Sequence, residues 1–168
     1  EAASLSRGLV ARPHELRDVD PASRSRTQIA YPLDPKAAMF RVTREIDFCY
    51  GHRLLNYDGK CKNLHGHNGR AVITIESNKL DERGMVIDFA DLKRLVSNWI
   101  DENLDHRMIL RHDDPAVPVL ESLGEPMYLI EANPTAENIA KLIFDYARGQ
   151  QVPIVECRLW ETPHCFAT

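Results

Sequence analysis

His65 and His67 stand two apart in the run Cys61-Lys62-Asn63-Leu64-His65-Gly66-His67, and His52 lies shortly upstream. On an extended chain, residues i and i+2 point to the same face, so the pair presents two imidazoles side by side. A bare pair could be a chance occurrence on a turn, because it lacks the ligand count that zinc needs. The third histidine supplies it. Three protein nitrogens leave the fourth tetrahedral position for water or substrate, the pattern of a catalytic rather than a structural zinc.

Cys61 leaves three chemistries open. As a ligand, its thiolate would close the site with three imidazoles and make the zinc structural, in a protein that need not be an enzyme. As a buried thiol it would only pack. As a reactive thiolate it would act as base or nucleophile. Lys60 and Lys62 flank it and a nearby zinc would add positive charge, both of which favour ionised sulfur. The polar surroundings argue against the packing role.

Asp105-His106 follows Leu104. An Asp that orients a His makes a proton relay, although a His at a helix end also suits the helix dipole with no further role. The pair gains weight if it meets Cys61 in space. Glu161 ends a run containing Val155, Cys157, Leu159 and Trp160. It is either a solvated carboxylate at a strand end or a clamp for the amidine-like edge of a heterocycle, through two parallel hydrogen bonds. Thr135-Ala136-Glu137-Asn138 reads first as a helix cap with a favourable first-turn acid. Arg53, Lys60, Lys62 and Arg70 face one acid, Asp58, between residues 53 and 70, an excess that either draws an anionic substrate or is simply a solvated loop.

These residues need elements to hold them. Alternation through Phe40, Val42, Ile46 and Phe48 predicts a strand over 39–49, and Ala71, Ile73 and Ile75 predict a second over 70–77, joined by a polar connection over 50–66. Asp88 offers an N-cap for a helix to about Asn103 with Leu92, Leu95, Val96, Trp99 and Ile100 as its stripe. Thr135 caps a second helix with Ile139, Leu142, Ile143 and Tyr146 buried and Gly149 as its stop. Residues 152–161 read as a strand, 164–167 as a short last one, and Tyr128–Glu131 as another short piece in a long Asp- and Pro-rich segment. The fold expected is α+β, an antiparallel four-stranded sheet with two helices on one face.

Composition bounds the rest. The 168 residues suffice for one domain, and 43% hydrophobic with 27% charged is ordinary for a globular protein. A net charge of −4 argues against nucleic acid as partner. No apolar run approaches the ~20 residues of a membrane span. Cys49, Cys61, Cys157 and Cys165 form no disulfide framework, which suits a reducing, cytoplasmic setting. Residues 1–38 carry no sustained apolar period and read as an irregular arm before a domain over 39–168.

Phe48-x-x-x-His52-Arg53-Leu54, Cys61-x-x-x-His65-Gly66-His67-Asn68, Gly84-Met85-Val86-Ile87-Asp88-Phe89, Leu104-Asp105-His106, Pro134-Thr135-Ala136-Glu137-Asn138 and Glu161-Thr162 occur in this order. Together they resemble the 6-pyruvoyltetrahydropterin synthase / 6-carboxytetrahydropterin synthase family from about residue 39 onward. The resemblance implies the tunnelling fold, or T-fold, with subunits joined in trimers that stack into hexamers and with active sites between them. It implies zinc held by His52, His65 and His67, Cys61 as catalytic base, and Asp105 and His106 as a second relay, with His106 able to come from a neighbouring subunit. Glu161 would anchor the pterin, helped by Thr135 and Glu137. The implied substrate is 7,8-dihydroneopterin triphosphate. The implied product is 6-carboxytetrahydropterin with acetaldehyde, on the route to queuosine, or alternatively 6-pyruvoyltetrahydropterin. Three features depart from the pattern: Cys49-Tyr50-Gly51 where small residues are commoner, Gly69 where an aromatic is usual, and a long 107–133 segment that suggests a hairpin or lid.

Overall fold

The computed structural model describes residues 39–168. The arm expected over residues 1–38 lies outside the described residues. Two long strands form the spine: β1, Phe40–His52, and β2, His65–Ser77. They pair antiparallel along their whole length, from Phe40 opposite Ser77 to His52 opposite His65. Both strands are longer than their apolar patterns indicate. β1 continues three residues past Cys49 to include His52, and β2 starts at His65 rather than Arg70. The run His65-Gly66-His67-Asn68-Gly69 has no β-branched residue, so it carries no strand signature of its own. The ladder to β1 imposes the extended backbone there.

Four shorter strands complete the sheet: β3 (Arg107–Arg111), β4 (Met127–Ile130), β5 (Ile154–Thr162) and β6 (Cys165–Ala167). Among the described residues the order is β4-β3-β1-β2-β5-β6. The α+β class holds, but the sheet has six strands rather than four, and it is mixed. β3 lies parallel to β1, and β4 parallel to β3. The strand β3 escapes sequence reading because Met108-Ile109-Leu110 is a short continuous apolar run with no alternation, as suits a strand buried on both faces. A short helix, α3 (Val117–Ser122), connects β3 to β4 when the helices are numbered α1 to α4 along the chain. The long segment is therefore a parallel β–α–β unit and not a hairpin, since two parallel strands need a crossover.

The two expected helices pack on one face. The first is α1 (Phe89–Leu92), a π-helical stretch (Lys93–Ser97) and α2 (Asn98–Asn103) in succession; Asp88 caps it by accepting the Ala90 N–H at 2.8 Å. The other is α4 (Ala136–Gly149), where Thr135 accepts the Asn138 N–H; past Gly149, Gln151 takes the left-handed φ of 62°. Leu92, Val96 and Ile100 from the first helix and Ile139, Ile143 and Ala147 from α4 are buried against Ile46, Phe48, Ala71, Ile73 and Leu159 of the sheet. Trp99 and Tyr146 stack at 4.0 Å between the helices. Burying each such aliphatic side chain stabilises the layer by about 1.5–3 kcal/mol. This layer makes β1 and β2 a rigid platform for what lies at their ends.

Candidate active site

Strand alternation sorts the site residues. Ile46, Phe48, Tyr50 and His52 fall on the helix-covered face of β1, and His65, His67, Gly69 and Ala71 on the same face of β2. His52 sits opposite His65, and Tyr50 opposite His67. The apolar core thus runs along the sheet until, at one end, its face turns into three imidazoles. One nitrogen from each of His52, His65 and His67 lies within 4.8 Å of the others.

The tautomers are set from outside the cluster. His52 Nδ1 lies 2.6 Å from the Pro134 carbonyl and His65 Nδ1 2.8 Å from the Asn63 carbonyl. A carbonyl only accepts, so both Nδ1 atoms carry the proton and both Nε2 atoms present bare lone pairs. Those Nε2 atoms are 3.0 Å apart. Two imidazoles on one tetrahedral ion at ~2.0–2.1 Å would be about 3.3 Å apart. Lone pairs facing each other at this range suit a shared cation, and a carbonyl behind each ring is the usual support of a histidine ligand. Burial holds His52 below its ordinary pKa, outweighing the Pro134 bond and the Glu161 charge, while His65 and His67 push the same way. A neutral imidazole is the form that binds metal. The donor set therefore fits a metal ion such as zinc.

Cys61 stands on a 3-10 turn, Lys60–Lys62, whose carbonyl at Cys61 accepts the Leu54 N–H at 2.8 Å. It does not join the three-histidine cluster. A thiolate at ~2.3 Å from a shared zinc would have to lie close to all three nitrogens, so Cys61 is not placed as a fourth ligand.

The Asp105-His106 pair forms as expected, His106 Nδ1 donating to Asp105 Oδ2 at 2.8 Å. Within one chain, though, the thiol it meets is Cys49. Asp105 Oδ1 accepts the Cys49 N–H at 2.7 Å, the His106 N–H donates to the Cys49 carbonyl at 2.6 Å, and Cys49 Sγ lies within 4.8 Å of both side chains. His106 adopts a left-handed φ of 55°, a conformation that costs a non-glycine residue about 1–2 kcal/mol and is held here by those bonds. Its side chain is 79% exposed.

Glu161 lies at the histidine end of β5. Its Oε1 accepts from the Tyr50 hydroxyl at 3.0 Å and is 3.9 Å from His52 Nε2. Burial, then the charge and hydrogen bond of Glu161, push the Tyr50 phenol far above its ordinary pKa, so it remains a donor. Thr135 caps α4 directly after the Pro134 carbonyl that supports His52, and Glu137 lies in the first turn; the Thr135 hydroxyl helps hold Glu137 below the ordinary carboxylate range. Asn133 ties this helix start to the loop after β1, exchanging bonds of 2.9 Å with the N–H and carbonyl of Leu55. The basic excess is largely consumed: Arg53 pairs with Asp114, and Arg70 with Asp47 and Glu45. Sequence reasoning missed Pro134 and Asn63, which act through main-chain carbonyls that no side-chain pattern announces. It noticed Tyr50 without its partner.

Comparison with known proteins bears on this geometry. The 6-pyruvoyl tetrahydropterin synthase family matches residues 41–168. The chain belongs to the 6-pyruvoyl tetrahydropterin synthase family. Within that family it is 41% identical over 135 residues to the 6-carboxy-5,6,7,8-tetrahydropterin synthase of Rickettsia felis, covering 76% of this chain and 98% of the relative. It is 35% identical over 136 residues to the synthase of the same name from Haemophilus influenzae, covering 76% and 96%. Among solved structures, an uncharacterized protein from Wolinella succinogenes superposes with a TM-score of 0.66 at 29% identity, covering 77% of this chain and 97% of that one. The 6-pyruvoyl tetrahydropterin synthase of Caenorhabditis elegans gives 0.58 at 26%, covering 77% and 94%. The fold is the family's T-fold. Among the described residues, no helix is long and apolar enough to cross a membrane.

Proposed function

We propose that this chain is a zinc-dependent 6-carboxy-5,6,7,8-tetrahydropterin synthase, a carbon-carbon lyase that converts 7,8-dihydroneopterin triphosphate to 6-carboxytetrahydropterin, acetaldehyde and triphosphate on the route to queuosine. The observation that carries the reading is the cluster of His52, His65 and His67 with no thiol among its ligating atoms, in a chain whose curated relatives bear that name. The absence of Cys61 from the cluster disfavours a closed structural zinc.

In this reading His52, His65 and His67 hold the metal, with Pro134 and Asn63 fixing two of the rings. A metal held there would supply Lewis-acid chemistry, polarising the substrate's hydroxyls and acidifying the neighbouring C–H protons. Cys61, off the metal and flanked by Lys60 and Lys62, takes a proton as thiolate. His106, oriented by Asp105, moves the second proton. Its exposure, and its grouping with Cys49 and Asp105 in one chain, suit service to a neighbouring copy in a trimer or hexamer. Glu161 grips the two-donor edge of the pterin ring, and Thr135 and Glu137 flank it. The setting is the cytoplasm.

The structural likeness to a 6-pyruvoyl tetrahydropterin synthase keeps triphosphate elimination as the second reading. Incubation with 7,8-dihydroneopterin triphosphate and mass spectrometry separates them. A 6-carboxy product with acetaldehyde is expected; a 6-pyruvoyl product would move the chain to the other branch. Unchanged substrate with fully metal-loaded protein would overturn both.

A further inference from the structure

We infer that Tyr50 is the residue that positions Glu161 for the pterin edge and sets the site's preference for a ring carrying a 2-amino donor. Tyr50 has this role only if Glu161 grips the pterin as proposed above.

The hydroxyl of Tyr50 donates to Glu161 Oε1 at 3.0 Å across 111 residues of sequence. A carboxylate has about four acceptor positions over its two oxygens, so this bond leaves both oxygens able to accept from a ligand. What it removes is rotation: with Oε1 tied, the plane of the carboxylate is fixed. The donor itself cannot swing. The Tyr50 ring stacks on Phe48 with centroids 5.3 Å apart and stands edge-on to His52 at 5.3 Å. Gly69 leaves the room it occupies, since a Cβ there would lie 2.8 Å from Tyr50 Cε1 and 3.6 Å from Leu159. The phenol is thus wedged between the imidazole end of β1 and the bare backbone of β2, with its oxygen on the Glu161 carboxylate.

The consequence is selectivity. An oriented carboxylate rewards a ring edge offering two adjacent donors, the ring N–H and 2-amino group of a 2-amino-4-oxopteridine. It penalises lumazine, whose 2-oxo group would set an acceptor against an acceptor. A carboxylate free to rotate rewards the match less.

The test uses the full-length, metal-loaded protein, with fluorescence titration by pterin and by lumazine. Wild type should bind pterin more tightly than lumazine. Tyr50→Phe should bind pterin about tenfold more weakly and narrow the pterin-to-lumazine ratio, with melting temperature and bound metal unchanged. With the triphosphate substrate, KM should rise by a similar factor while kcat stays within about twofold. In a Glu161→Gln background, Tyr50→Phe should add no further loss, because both changes remove one interaction. Equal pterin binding by wild type and Tyr50→Phe would overturn the role of Tyr50 and leave the pterin reading standing. A loss that tracks melting temperature or metal content would overturn it as well, in favour of simple packing. Wild type that binds no pterin would overturn the pterin reading, and this role with it.

Discussion

Asp105 joins Cys49 to His106: one carboxylate oxygen accepts the backbone N–H of Cys49 at 2.7 Å, and the other holds His106 Nδ1 at 2.8 Å. The same side chain therefore ties the loop before β3 to β1 and selects the tautomer in which His106 Nε2 is free. It also steadies the left-handed backbone at His106.

Replacing Asp105 with Asn should separate these roles. The amide oxygen can keep the Cys49 N–H, but the amide nitrogen then faces His106 Nδ1 as a donor and reverses the tautomer, so turnover should fall by about 10²–10⁴. Stability should drop by only about 1 kcal/mol. Steady-state kinetics and thermal melts on the same preparation check both.

Metal and thiol should come apart under mutation. His65→Ala or His67→Ala should abolish stoichiometric metal, measured by elemental analysis, together with activity. Cys61→Ala should keep the metal and lose turnover by at least about 10²-fold. If Cys61→Ala lost the metal, the thiol would be a ligand after all.

Gly66 lies between the two β2 histidines, where an added Cβ would sit 3.0 Å from the main-chain oxygen of Tyr50. Backbone cannot step aside as a side-chain tip can. Gly66→Val should push β2 from β1 at the site and weaken metal binding by about tenfold, as loss of ligand support commonly does. Competition with a chromogenic chelator reads this directly.

Arg53 and Asp114 fasten the β3–α3 segment beside His52. Arg53 Nε donates to Asp114 Oδ2 at 2.8 Å, and the Asp114 side chain is fully buried while that of Arg53 is 22% exposed. Burial raises the Asp114 pKa, but the Arg53 hydrogen bonds, the Ala116 N–H and the Arg53 charge outweigh it and leave the carboxyl below its ordinary range. A group depressed in the folded state stabilises above its unfolded value, about 3.9, and loses that contribution as pH falls through the folded value. Asp114→Asn should cost about 2–3 kcal/mol at pH 7, the low side for a buried pair because the guanidinium still reaches water. Melting curves of wild type and variant should converge as pH drops below about 4.

Local sequence carried a good deal. Asp88 and Thr135 cap the helices they were expected to cap, and the apolar stripes at Leu92, Val96 and Ile100 and at Ile139 and Ile143 are buried. These succeed because capping and helical periodicity are settled within a few residues of chain. The i, i+2 spacing of His65 and His67 likewise fixes a shared face once the backbone is extended.

What tertiary structure alone decided concerns partners distant in sequence. That His52 lies opposite His65 depends on the register of a thirteen-residue ladder. That Pro134 orients His52, that Asp105 meets Cys49 rather than Cys61 in one chain, and that Tyr50 ties Glu161 in the space left by Gly69 all depend on how strands far apart in sequence come together. The types and spacing of the reactive groups were written locally. Their orientation comes from carbonyls, registers and gaps, which belong to no single residue until the sheet has closed around them.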